Sequence, residues 1–135
     1  CAEQALSARF HYGDLCYQLG DLDLAIEQFQ QTRKHPDFEL KSYTMLGLCF
    51  ASKRGFMMLD LAIRQFQKAL EVQGRPQQDY LEVRYQMAMV LFQNSRAVDA
   101  LAELRKCCDI DSAFRDVSHW IERVEMHLKE SERKP

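Results

Sequence analysis

No run of apolar residues in this chain approaches the roughly 18 needed to cross a bilayer as a helix, and no charged, apolar, small-residue leader opens it. Membrane insertion is therefore not expected. Blocks of one charge are missing too: 18 basic and 20 acidic residues are interspersed for a formal net charge of -2. A phosphate backbone finds no basic stripe to follow, so nucleic acid is not an expected partner. Proline and glycine number only three and five in 135 residues, too few for a collagenous or low-complexity chain. What is there is ordinary globular material. Hydrophobic residues make up 47%, and a chain of this length can bury roughly two-thirds of the surface its unfolded form exposes.

Patterns that carry catalysis or metal chemistry are also lacking. His-Glu-x-x-His, Gly-x-Ser-x-Gly and Gly-rich phosphate loops do not occur. The histidines, His11, His35, His119 and His127, have no catalytic company, and the last two lie eight residues apart on one helical stretch, too far to share a metal. The five cysteines, Cys1, Cys16, Cys49, Cys107 and Cys108, are odd in number and show no Cys-x-x-Cys spacing. They read as reduced thiols used for packing, which implies a reducing, cytoplasmic compartment. No enzyme, metal or cofactor is expected. The chain opens at Cys1, inside helical sequence and without an initiating methionine, which suggests excision or processing from a longer protein.

Aligned on itself, the chain shows an internal repeat. Leu24-Ala25-Ile26-Glu27-Gln28-Phe29 and Leu61-Ala62-Ile63-Arg64-Gln65-Phe66 differ at one of six positions, and Asp99-Ala100-Leu101-Ala102-Glu103-Leu104 falls in the same register. Ala25 to Ala62 is 37 residues and Ala62 to Ala100 is 38. Each segment sits in an amphipathic stretch with Ala25, Phe29 and Thr32, then Ala62, Phe66 and Ala69, then Ala100, Leu104 and Cys107 on one face. A second helical stretch precedes each, with a small residue in its middle: Gly13, Gly47 and Ala88. A mid-helix glycine costs about 1 kcal/mol relative to alanine, so its presence points to close approach of a neighbouring helix. Gly20-Asp21, Arg54-Gly55 and Asn94-Ser95 supply left-handed turns or caps within each pair. Pro36 and Pro76 mark junctions after the first two repeats. The spacing predicts seven helices near 3–18, 22–34, 38–53, 59–73, 77–93, 97–109 and 113–131, and no strand.

These residues resemble the tetratricopeptide repeat, a 34-residue helix pair with a small residue in its first helix and an alanine, an aromatic and a second alanine in its second. Gly13 to Ala25 and Ala88 to Ala100 are each 12 residues, the family's interval, whereas Gly47 to Ala62 is 15. The surplus is assigned to the turn from Arg54 to Asp60, and a second surplus near Gly74–Gln78 to a longer following helix. The large residue expected before the small one is Arg9, Tyr43 and Arg84, of which Tyr43 alone fits well. The resemblance implies an all-α, right-handed α-solenoid of antiparallel helix pairs, with about seven helices. It also implies one domain over 1–135: repeats near 6–37, 40–75 and 79–112, and a capping helix over 113–131 that presents Val117, Trp120, Ile121, Val124 and Leu128 inward. The style of the repeats is similar to bacterial arrays of this family.

Family members hold an extended or helical peptide on a concave face made by the first helix of each pair. By register, that face here is Ser7, Phe10, Asp14 and Tyr17, then Lys41, Thr44, Leu48 and Ala51, then Glu82, Tyr85, Met89 and Phe92. The bland alternative is that some of these side chains pack on a neighbouring repeat or the cap. The carboxylate clamp that some members use for acidic chaperone tails is not matched, because its positions carry Phe10, Asp14, Met45, Glu82 and Gln86. The resemblance thus implies a protein-protein interaction module with a protein or peptide ligand. The alternative is a structural module that self-assembles as a homo-oligomer or docks on other parts of a larger parent protein, for instance through residues 1–20.

Overall fold

The computed structural model describes residues 2–133. Cys1 lies outside the described residues. Seven helices follow one another: α1 (Ala2–Gln18), α2 (Leu22–Thr32), α3 (Pro36–Lys53), α4 (Phe56–Glu71), α5 (Gln77–Gln93), α6 (Ala97–Ile110) and α7 (Val117–Arg133). Among the described residues there is no strand. The chain divides into two compact units, Cys1–Asp79 and Tyr80–Pro135, each described on its own.

The breaks form where the local chemistry dictates. Gly20 takes φ 84°, and Asp21 caps α2 by accepting a hydrogen bond from Leu24 N at 3.4 Å. Pro36 stands at the start of α3, where its missing N–H has no helical partner to lose, and His35 Nδ1 accepts from Asp37 N. Arg54 and Gly55 are both left-handed, at φ 60° and 106°, which turns α3 into α4 with no residue to spare. Ser95 at φ 63° does the same between α5 and α6.

Both surplus segments fold differently from expectation. Phe56, Met57 and Met58 are the first turn of α4, so the three extra residues are helical and not loop. Of the second surplus, Gln77 and Gln78 open α5, but at 17 residues α5 is no longer than α1 and shorter than the 18-residue α3, and residues 72–76 form a non-helical connection. The last helix starts at Val117, four residues later than predicted, because residues 111–116 form turns with Arg115 at φ 44°.

Within the first unit, α1 to α4 stack in sequence, each helix on the next, with α1 also reaching α3. α2 and α3 run antiparallel: Asp23 at the start of α2 pairs with Lys53 at the end of α3, and Thr32 at the end of α2 meets Ser42 near the start of α3. The repeat signature is the core. Ala25, Phe29, Ala62, Phe66 and Ala69 are wholly buried, and each phenylalanine contributes roughly 1.5–3 kcal/mol through the area it removes from water. Small residues make room for those rings. A Cβ on Gly13 would lie 2.9 Å from Phe29 Cε1, and one on Gly47 would lie 2.7 Å from Phe66 Cζ. In the second unit the equivalent pair is Ala88 with Leu104, both fully buried: one methyl more on the first helix, a smaller side chain on the second.

A buried polar contact joins the first two repeats. Thr32 and Ser42 are fully buried, with their hydroxyl oxygens 2.6 Å apart. Thr32 Oγ1 also lies 3.4 Å from Phe29 O, so the pair is satisfied inside the core.

The second unit has one core, built from Leu81, Tyr85 and Ala88 of α5, Ala97, Leu101, Leu104 and Cys107 of α6, and Phe114, Val117 and Val124. Of the residues expected to face inward from the last helix, Trp120, Ile121 and Leu128 complete its edge. Cys107 Sγ points to Leu81 O at 3.7 Å. Burial pushes its thiol up to about 11, and burial alone takes Cys49 to about 12, so both stay protonated and unreactive at neutral pH.

Candidate peptide-binding face

In the first unit the face predicted from the register is carried by α1 and α3. Phe10, Asp14, Tyr17 and Leu48 are half-buried and Lys41 is exposed. Phe10 meets Phe29 edge-on at 5.3 Å and lies 5.8 Å from Phe38, while Tyr17 also packs on the core at its edge. Their outer surfaces stay in contact with solvent. Asp14 accepts a hydrogen bond from Gln18 Nε2 at 3.0 Å, which holds the carboxylate on the helix surface. Ser7 and Ala51 are half-buried as well.

Thr44 departs from this picture. It is 9% exposed, and its hydroxyl donates to Leu40 O at 2.9 Å, so it serves its own helix and offers a ligand little.

In the second unit the register brings Glu82, Tyr85, Met89 and Phe92 onto α5, but the segment after α6 folds over Tyr85. Phe114 meets the Tyr85 ring edge-on at 6.2 Å, and the Arg115 guanidinium stands over it at 4.2 Å. Tyr85 Oη donates to Asp116 Oδ1 at 2.6 Å, and Trp120 Nε1 donates to Asp116 Oδ2 at 3.1 Å. Arg115 completes the clasp by donating to Glu82 at 2.8 Å. Tyr85 is left 6% exposed and is a core residue, contrary to its expected place on the open lining. The clasp shifts both partners: the hydrogen bond from Tyr85 holds the Asp116 carboxyl below its ordinary value, while burial, then the Asp116 bond, raises the Tyr85 phenol.

Met89 and Phe92 are half-buried against the same core. Phe92 touches Trp120 and His127 edge-on, at 6.1 and 5.3 Å. It also lines an open cleft of about 430 Å³ with His119, Arg123, Met126 and His127. The packing alternative holds for these two side chains in part.

Sequence reasoning missed how the large position is filled. Arg9 donates to Gln28 Oε1 at 2.9 Å, and Arg84 donates to Glu103 Oε2 at 3.0 Å. Both bonds span 19 residues and cross from the first helix of a pair to the second. Each arginine thus ties its pair together where the family uses a large packing residue. The signal was available, since Gln28 and Glu103 both sit three residues after the repeat alanine. Tyr43, the one conforming residue, is held between Arg33 and Lys68, 5.8 and 5.9 Å from its ring centroid.

Among the described residues no group of three or more His, Cys, Asp and Glu side chains could hold a metal ion, and no helix is long and apolar enough to cross a membrane. Helix pairs closed by a small residue on the first helix and a large apolar one on the second define a helical-repeat protein. The family model of the tetratricopeptide repeat matches residues 6–31, the first of these pairs. That match and the all-helical arrangement of seven helices support a repeat protein of the tetratricopeptide type. Proteins of this type generally mediate protein-protein interaction or assembly, and the fold is typically non-catalytic. No curated protein matches the sequence.

Proposed function

We infer that the chain is a peptide-binding module whose ligand lies on the α1–α3 face of the first unit. One observation carries the reading: the signature residues Ala25, Phe29 and Thr32 already close the core, yet Phe10, Asp14, Tyr17 and Leu48 keep solvent-facing surface and Lys41 is exposed. Aromatic and aliphatic surface of this kind anchors a peptide, while Asp14 and Lys41 select its charge order. An acidic tail alone is a poor ligand, because Asp14 repels it. Met89 and Phe92 are candidates for a further apolar contact in the second unit.

The test is a selection of peptides from a displayed random library on the whole chain, followed by titration of the winners against Leu48→Glu and Lys41→Glu. Both variants are expected to keep the circular dichroism spectrum and to bind at least about tenfold more weakly, a loss of roughly 1.4 kcal/mol. Unchanged affinity in both folded variants would overturn the placement.

A further inference from the structure

Helices α1 and α3 run in the same direction. The turn after Gln18 sends α2 back along α1, with Arg9 meeting Gln28, and α3 returns antiparallel to α2. The two helices touch, and Phe10 and Phe38 meet across the line between them with ring centroids 5.8 Å apart. That contact sets the level of one wall against the other. Asp14 follows Phe10 by one turn on α1, and Lys41 follows Phe38 by one turn on α3. An acid and a cation therefore stand on opposite walls just beyond the aromatic pair. Farther along, Tyr17 and Leu48 supply half-buried apolar surface, one on each wall.

Neither charge is spent inside the fold. Asp14 is bonded to the neutral Gln18 amide, and among the described residues neither Asp14 nor Lys41 takes part in an ion pair. Neighbouring charges on the same helices are engaged elsewhere. Arg9 donates to Gln28 and Lys53 pairs with Asp23, while Glu39 lines a separate cleft with Tyr43 and Lys68. Two opposite charges thus remain available on either side of an apolar trough, and charges so placed fix the register of a partner.

The trough decides the form of the ligand. Where the walls meet at Phe10 and Phe38, a helix about 10 Å across does not fit between them. An extended chain does, and its successive side chains point to opposite sides. From Phe10 to Asp14 the wall advances about 6 Å, and two residues of an extended chain advance about 6.7 Å, so one pair of neighbouring ligand residues passes each helical turn. Taking α1 and α3 as the walls of a peptide site, as inferred above, we propose that its ligand is an extended segment with two adjacent residues of opposite charge. The basic side chain lies on Asp14, the acidic one on Lys41, and apolar residues stand before and after them. Two charges of one sign meet repulsion at one wall. A base and an acid separated by one residue point to the same wall and cannot serve both. The order of the two charges sets the direction in which the segment lies.

Fluorescence anisotropy of fluorescein-labelled peptides, titrated with the whole chain, tests the pattern. The probe Leu-Leu-Lys-Asp-Leu-Leu is expected to bind at least about tenfold more tightly than Leu-Leu-Asp-Asp-Leu-Leu or Leu-Leu-Lys-Ala-Asp-Leu-Leu. Asp14→Lys should invert the first preference, so that the probe with two acids binds better, and the helical spectrum should not change because Asp14 lies on the helix surface. Asp14→Asn, which keeps the shape and removes the charge, should erase the preference. No binding of the Lys-Asp probe, equal affinity of the three probes for the parent chain, or a preference that survives Asp14→Lys would each refute the proposal. Leu48→Glu separates its failure from that of the peptide face. If that change weakens every probe while the charge pattern makes no difference, the face stands and this ligand chemistry falls; if it alters none of them, both fall.

Discussion

Adding a single methyl group at position 47 tests the packing logic of the repeat. On helix propensity alone, Gly47→Ala stabilises, since alanine is favoured over glycine in a helix interior by about 1 kcal/mol. Packing opposes it. The new Cβ would lie 2.7, 2.8 and 2.9 Å from three carbons of the Phe66 ring, and a comfortable carbon-carbon separation is about 3.5–4.0 Å. The ring would have to retreat by most of an ångström, and Phe66 is fully buried. Overpacking of a filled core costs about 1–3 kcal/mol. With the ring enclosed on all sides the upper part of that range applies, which leaves a net loss of roughly 1–2 kcal/mol. The remedy is written in the second unit, where Ala88 faces Leu104. Gly47→Ala with Phe66→Leu should therefore be more stable than the sum of the two single changes predicts, with a coupling of about 1–2 kcal/mol. Urea denaturation of the four proteins, followed by far-ultraviolet circular dichroism, supplies the cycle. A Gly47→Ala protein more stable than the parent would refute the argument, because propensity would then have acted unopposed.

Two further perturbations follow from polar contacts. Thr32→Val leaves the Ser42 hydroxyl buried without its partner and should cost about 1–3 kcal/mol, whereas Thr32→Val with Ser42→Ala should recover much of the loss; equal urea midpoints for the single and double variants would count against the contact. The carboxyl of Asp116 is held below its ordinary value of 3.8, so its bonds to Tyr85 and Trp120 stabilise the fold fully above that pH, and the benefit fades as pH falls through the lowered value. Fluorescence of Trp120, the chain's single tryptophan, should report release of the clasp on acidification below about pH 4. Asp116→Asn should remove that acid step, and a step of the same size in the variant would assign it elsewhere.

The helix pairs were legible because the repeat imposes one local rule three times. Gly13 and Gly47 are poor helix formers in helices, a conflict that only a close neighbour resolves, and Phe29 and Phe66 are that neighbour. The ends of the surplus segments were not legible, because Phe56-Met57-Met58 has no N-terminal capping side chain to announce where α4 begins. The site was read in part. Periodicity placed Tyr85 on the same side of its helix as Glu82 and Met89, but its cover comes from Asp116, 31 residues on. A turn such as Phe114-Arg115-Asp116 declares in sequence only that the chain bends, not what it folds over. The family pattern likewise asks for a large residue at Arg9 and Arg84, and the polar partners that make arginine acceptable lie 19 residues away in each case.

The extra turn at the start of α4 bears on where this chain tolerates new length. Three residues placed beyond Ala62 would rotate Phe66 by about 300°, some 60° out of phase with Gly47, and unseat the ring. Placed ahead of Leu59, as Phe56, Met57 and Met58 are, they leave the phase of every later side chain untouched and simply extend the helix outward, where Phe56 and Met57 stand 81% and 75% exposed. The free start of α4 is therefore a growth point: an epitope, a label or a further helical turn can be spliced there while the core downstream keeps its timing.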